Sequence, residues 1–255
     1  MASKTEASKT QRRRTTARPF ALLAIWLASC PTIRALDLTT ATPPVEIADR
    51  QVTVGPRTVR LPAGDWRELD HYVWQASAGR AIGMVHSSFI TRIEHGTIGL
   101  SGRIVLLKSD IPASSWRDQP CGGVEDIYVK DYSPDPELKD CLVVRSVRKK
   151  EMIDLLQRTF PNAIRWMANA NMAVPDAAVR IRYARYSTNT YGIIDLFVPA
   201  EYFESEPAAI EWSESLRSSM KSLFEHRENE GTLPALPTRA EVPPSSSSEA
   251  GTAAQ

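Results

Sequence analysis

Between residues 179 and 184 apolar and polar positions alternate. Val179, Ile181 and Tyr183 face one way, and Arg180, Arg182 and Ala184 face the other, the period-two signature of a strand with one buried face. Thr188-Asn189-Thr190 turns the chain and Tyr191 to Val198 returns, so this stretch predicts an antiparallel hairpin. A longer hairpin is predicted over residues 81–94 and 97–108, with His95-Gly96 supplying a turn that needs positive φ. Phe89, Thr91 and Ile93 share a face of its first strand; Ile98, Leu100, Ile104 and Leu106 share a face of the second. Ile104 to Leu107 is apolar on both sides, as in a strand covered on both faces. Upstream, Val52-Thr53-Val54 and Thr58 to Leu61 flank the turn pair Gly55-Pro56, and a further run spans Trp66 to Gln75.

The period changes to that of a helix at Lys149. Met152, Ile153, Leu155, Leu156 and Phe160 form an apolar stripe, Pro161-Asn162 interrupts it, and Ala163 to Met172 continues as a second helix. Pro207 to His226 predicts a long helix in which Trp212, Leu216, Met220, Leu223 and Phe224 recur at helical spacing. The order of these elements predicts an α+β domain: a mainly antiparallel sheet with helices packed on one face. Residues 109–140 are the least regular part of it. Ser109-Asp110-Ile111-Pro112 and Ser133-Pro134-Asp135-Pro136 bracket them, and a long loop of this kind is where function concentrates.

The ends of the chain follow other rules. Arg12-Arg13-Arg14 precedes the apolar run Pro19 to Cys30, the layout of a secretory signal, which predicts export over residues 1–35. The run is about half the ~20 residues that a membrane-spanning helix needs. Two fates stay open. Cleavage after Ala35 discards Cys30, whereas Leu27-Ala28-Ser29-Cys30 resembles the lipobox of bacterial lipoproteins and would make Cys30 an acylated N-terminus. Residues 36–44 read as a linker, 45–228 as a single globular domain, and 229–255, with four consecutive serines, as a disordered Pro/Ser-rich tail.

Charge follows this division. The whole chain carries +1, but the first 30 residues hold six Lys/Arg and one acid. Residues 31–255 keep 25 basic against 29 acidic groups, a net of −4, which gives no basis for nucleic acid as a partner. Cys121 and Cys141 lie 20 residues apart, and in an exported chain they are expected to pair, two buried free thiols being the alternative. Zinc is disfavoured, because the spacing is not Cys-x-x-Cys and no histidine lies near either residue.

Candidate chemistry is sparse. His71, His86, His95 and His226 show no ligand spacing, and the nucleophile-elbow, P-loop, dinucleotide and His-Glu-x-x-His motifs are absent. No catalytic residue, metal site or cofactor is therefore assigned. Arg180 and Arg182 are candidates for binding an anion by paired guanidinium contacts, with Arg185 on the opposite face; a strand face whose arginines pair with nearby acids is the alternative. Trp66, Trp74, Trp116, Trp166 and Trp212 read mainly as core filling, with a sugar or peptide platform as the minority use.

Three segments together carry a resemblance. They are Trp116-Arg117-Asp118-x-x-Cys121, Lys139-Asp140-Cys141-Leu142-Val143-Val144, and an Arg-rich strand before Phe197-Val198-Pro199-Ala200-Glu201. Over roughly residues 60–215 the chain is similar to a set of small exported bacterial proteins of unknown function. The resemblance implies an envelope or periplasmic location and a paired Cys121–Cys141, and it transfers no catalytic residue. The expected function is that of a non-enzymatic binding or accessory domain of the envelope, with an envelope protein or small ligand as partner. Two alternatives are a hydrolase-type enzyme with a site near the Cys121–Cys141 loop and a lipid-anchored accessory subunit of an envelope complex.

Overall fold

The computed structural model describes residues 43–78, 81–108, 121–122, 126–133, 138–187, 190–225 and 227–237. The expected export signal, Cys30, Ala35, Trp116, His226 and the tail beyond residue 237 lie outside the described residues. So do the turn residues 188–189 and much of the irregular stretch 109–140.

The described part of the chain opens with β1 (Val45–Glu46), β2 (Gln51–Val54) and β3 (Arg57–Arg60). Three long strands follow, β4 (Asp65–Ala78), β5 (Ala81–Glu94) and β6 (Thr97–Lys108). Next come β7 (Tyr128–Asp131), β8 (Lys139–Arg148), α1 (Lys149–Thr159) and α2 (Pro161–Asn169). β9 (Ala177–Ser187) and β10 (Thr190–Pro199) form the alternating hairpin, and α3 (Glu206–Phe224) and β11 (Glu230–Thr232) end the described chain.

Eight strands make one antiparallel sheet in the order β1-β4-β5-β6-β10-β9-β8-β7. β2, β3 and β11 make a small second sheet, in which β11 runs parallel to β3. The class is the predicted one, α+β with a mainly antiparallel sheet and helices packed on it. The long helix α3 takes one face. Its Leu216, Met220, Leu223 and Phe224 are fully buried with Leu100, Ile104, Leu106, Ile181, Tyr183, Ile194 and Leu196, and the small sheet adds Val52, Val54 and Val59 to the same cluster. The short α1–α2 pair packs on residues of opposite parity, closing Met152, Leu156, Phe160, Ala163 and Met167 over Phe89, Val147, Ala178 and Phe197.

Local chemistry sets the helix ends. Ser205 caps α3 by accepting from the Ala208 N–H at 3.4 Å, with Pro207 in the first turn. Pro161 does not merely interrupt a helix. It sits in the first turn of α2, where a missing N–H carries no penalty, and Phe160 serves both as the end of α1 and the start of α2. The β5–β6 turn forms as predicted, with positive φ at His95 (49°) and Gly96 (77°).

Two expectations need correction. Ile98 does not share a face with Leu100, Ile104 and Leu106. Arg92 pairs with Leu100 and Ile93 with Ile98, so Gly99 is an extra residue that flips Ile98 toward the α1–α2 cluster. The domain also runs past residue 228. Thr58 donates to the Asn229 carbonyl at 3.0 Å, β11 pairs with β3, Leu233 is buried, and Trp212 donates to the Ala235 carbonyl at 2.7 Å. The Pro-rich composition of this segment hid a single short strand and one anchoring leucine.

Cys121 and Cys141 form a disulfide with Cα atoms 5.5 Å apart. Cys141 is fully buried on β8, in a third apolar cluster with Val105, Leu107, Tyr186 and Tyr191, and Cys121 packs against it. Closing a loop of this size is worth about 3 kcal/mol in the chain-entropy description. Replacing both cysteines by serine is expected to lower Tm by about 6–12 °C for a domain of this length, as followed by circular dichroism. Wild-type protein in reductant should lose a similar amount.

Candidate functional site

The site is built by strand register. Arg180 and Arg182 alternate with buried Val179 and Ile181, so both point to the face covered by α1. On β10, Asp195 lies opposite Arg182 on one side and opposite Arg103 of β6 on the other. Three neighbouring strands thus place Arg103, Asp195 and Arg182 in one row. Arg180 comes one pair further along, opposite Phe197.

Asp195 is the hub. It is only 3% exposed. Arg180 donates to it in two-point fashion, Nε to Oδ1 and Nη2 to Oδ2, both at 2.8 Å. Arg182 Nη2 donates to Oδ2 at 2.7 Å. Arg103 Nη2 approaches Oδ2 only to 3.6 Å, an ion pair too long for a hydrogen bond. Burial by itself would raise the Asp195 pKa. The guanidiniums of Arg182, Arg180 and Arg103 outweigh it and hold the carboxyl well below the usual carboxylate range. Burial likewise works to lower the Arg182 pKa, and Asp195 more than compensates. Arg182 Nε is buried and meets no acceptor among the described residues.

These groups border a cleft of about 190 Å³ between α1 and the sheet. Its other walls are Phe89, Leu155, Leu156, Thr159, Phe160 and Phe197. Phe89 and Phe160 pack at 4.6 Å between ring centroids, and the Arg180 guanidinium lies 5.7 Å from the Phe197 ring. Three guanidiniums face one carboxylate here, an excess of two positive charges beside aromatic walls. Chemically this suits an anion that also offers apolar surface. It is poorly suited to general-base work, because the lowered pKa of Asp195 makes it a weak proton acceptor and the Thr159 hydroxyl already donates to the Leu155 carbonyl at 3.1 Å.

Other singled-out residues do not join this site. Arg185 faces the opposite side of the sheet, paired with Asp140 and Glu225. Asp140 also takes two hydrogen bonds from Arg217, both at 3.0 Å, and Arg217 stacks 3.4 Å from the Tyr132 ring centroid, so this cluster fastens α3 to β8 and β9. His71 contacts Glu68 at 3.1 Å on β4, His86 lies against Gly55, and His95 occupies a turn; the three do not converge. Of the tryptophans, Trp66 and Trp212 are core, whereas Trp74 is exposed. Among the described residues no group of three or more His, Cys, Asp or Glu side chains is arranged to hold a metal, and no helix is long and apolar enough to cross a membrane.

The sequence pattern singled out Arg180 and Arg182 but not Arg103 or Asp195. One signal was present. Asp195 is a lone acid inside Ile193-Ile194-Asp195-Leu196-Phe197-Val198, a strand otherwise apolar on both faces, and a charge in such a run must be paired. No known protein family, curated protein or solved structure matches the chain.

Proposed function

We propose that this chain is an exported protein of the cell envelope whose domain binds a small anionic ligand, without turnover, in the arginine-lined cleft beneath α1. The observation that carries the reading is the charge imbalance at Asp195, where a single buried carboxylate serves three guanidiniums that border an aromatic-walled space. Arg103 holds its partner most loosely and is the group with most capacity left for a ligand. The basic and apolar head of the sequence supports export, and a disulfide is at home in an oxidising compartment. The cleft is small, so the ligand class is a compact anion with a short apolar or aromatic body rather than a polymer.

The test is calorimetric titration of the mature exported chain with phosphate, acetate and benzoate as probes. Benzoate is expected to bind most tightly and with one-to-one stoichiometry. Arg103→Ala should weaken it by about 10- to 100-fold, the worth of one charge-assisted hydrogen bond, with little change in Tm. Equal, weak heats for wild type and Arg103→Ala with all three probes would remove the proposal.

A further inference from the structure

Among the described residues the outer flank of β4 is open. β1 covers only Arg67 and Glu68, and from Leu69 to Ser77 no other described strand lies beside it. Natural edges are kept short, charged or bulged so that they do not template pairing. β7, at the other end of the sheet, is four residues long and carries Lys130 and Asp131. β4 has a bulge at Leu69, but the eight residues from Asp70 to Ser77 hold one acid, Asp70, and no lysine or arginine.

This flank is also apolar. Val73 and Trp74 are 47% and 44% exposed, and Ile82 and Met84 on the neighbouring β5 are 61% and 46% exposed. Val73, Met84 and Ile82 share one face, since Val73 pairs with His86, Gln75 with Met84 and Ser77 with Ile82, whereas Trp74, opposite Val85, is exposed on the other face. Among the described residues, pairing of β5 with β6 ends at Met84 and Lys108, which leaves the rest of this arm as a two-stranded ribbon, an arrangement that is marginal by itself in water.

We propose that a second copy of this chain pairs with β4 along this flank, antiparallel about a two-fold axis close to Val73, joining two eight-stranded sheets into one. Self-pairing fits the residues. About Val73, Tyr72 faces the other copy's Trp74, His71 faces Gln75 and Asp70 faces Ala76, so aromatic pairs form twice and no like charges oppose. The two-fold consumes the β4 edge of both copies and then stops, leaving only the short, charged β7 edges. The chain's own upstream residues are the poorer occupant, because Pro43 and Pro44 stand directly before β1 and lack the N–H groups needed to continue a ladder along β4.

Sedimentation of the mature exported chain tests this. A concentration-dependent dimer is expected, Val73→Cys should form an interchain disulfide on oxidation, and Val73→Lys should raise the dimer dissociation constant about 100-fold or more by opposing two ammonium groups. Its Tm, measured at a concentration where wild type is monomeric, should hold, because Val73 is half exposed. Val129→Lys on β7 should leave the dimer intact. A monomer at every concentration, or a dimer indifferent to Val73→Lys, would overturn the proposal. So would a monomer whose amides at 71–77 resist hydrogen exchange until residues 36–42 are removed, since the chain itself would then cover the edge.

Discussion

Asp195→Ala is expected to cost the domain about 3–5 kcal/mol, the largest effect of any single polar substitution on the α1 face. The change leaves the partly buried guanidiniums of Arg180 and Arg182 without their counter-charge, and stranding one side of a buried ion pair costs far more than the pair contributes. Asp195→Asn keeps the shape and loses the charge, so it should fall in the same range or slightly below. Two further observations identify the mechanism. Phosphate or sulfate should restore more Tm to Asp195→Ala than it adds to wild type, since the freed guanidiniums accept it. Acid should also act differently on the two proteins. The folded-state pKa of Asp195 is depressed, so its contribution is present above the unfolded value of about 3.9 and is lost as pH falls toward the folded one. Wild type should therefore lose this share of stability below about pH 4, and the variant should not. Urea titrations across that range measure both. A cost under about 1 kcal/mol would mean that the three arginines are not held by Asp195.

The second large effect concerns the other face. Phe224, the last residue of α3, is fully buried and stacks on Tyr183 at 5.3 Å. Gly192 of β10 lies directly beneath its ring, and a Cβ at that position would come within 2.6 Å of Phe224. Phe224→Ala should cost about 3–5 kcal/mol by opening a cavity, and Gly192→Ala about 1–3 kcal/mol by overpacking. The double variant should cost less than the sum, by roughly 0.5–3 kcal/mol, because the new methyl group partly fills the space the ring leaves. Denaturant midpoints of the four proteins complete the cycle. Simple additivity would mean that α3 shifts rather than clashes.

The local half of this fold was readable from the chain. Alternation over Val179 to Ala184 assigned every side chain of that stretch to its face, and His95-Gly96 located the long hairpin. What escaped was non-local or depended on one residue. The parity flip at Ile98 comes from Gly99 alone. β11 is three residues long and pairs with β3 some 170 positions earlier, so neither its length nor its period announced it. The site divides the same way. Arg180 and Arg182 share a face on one strand, which sequence period reveals. Their partners arrive by register, Asp195 from the return strand and Arg103 from β6, about ninety residues upstream. The acid stood out as a lone charge in an apolar run, but nothing local connected it to Arg103.

The side-chain Nε–H resonances of the cleft arginines report most directly on a ligand beneath α1. Titrating the mature protein with benzoate should move the Arg103, Arg180 and Arg182 signals along a single saturable curve, while those of Arg185 and Arg217 on the opposite face stay put. Signals that remain fixed at Arg103 and Arg182, or that drift equally on both faces, would contradict a ligand site beneath α1.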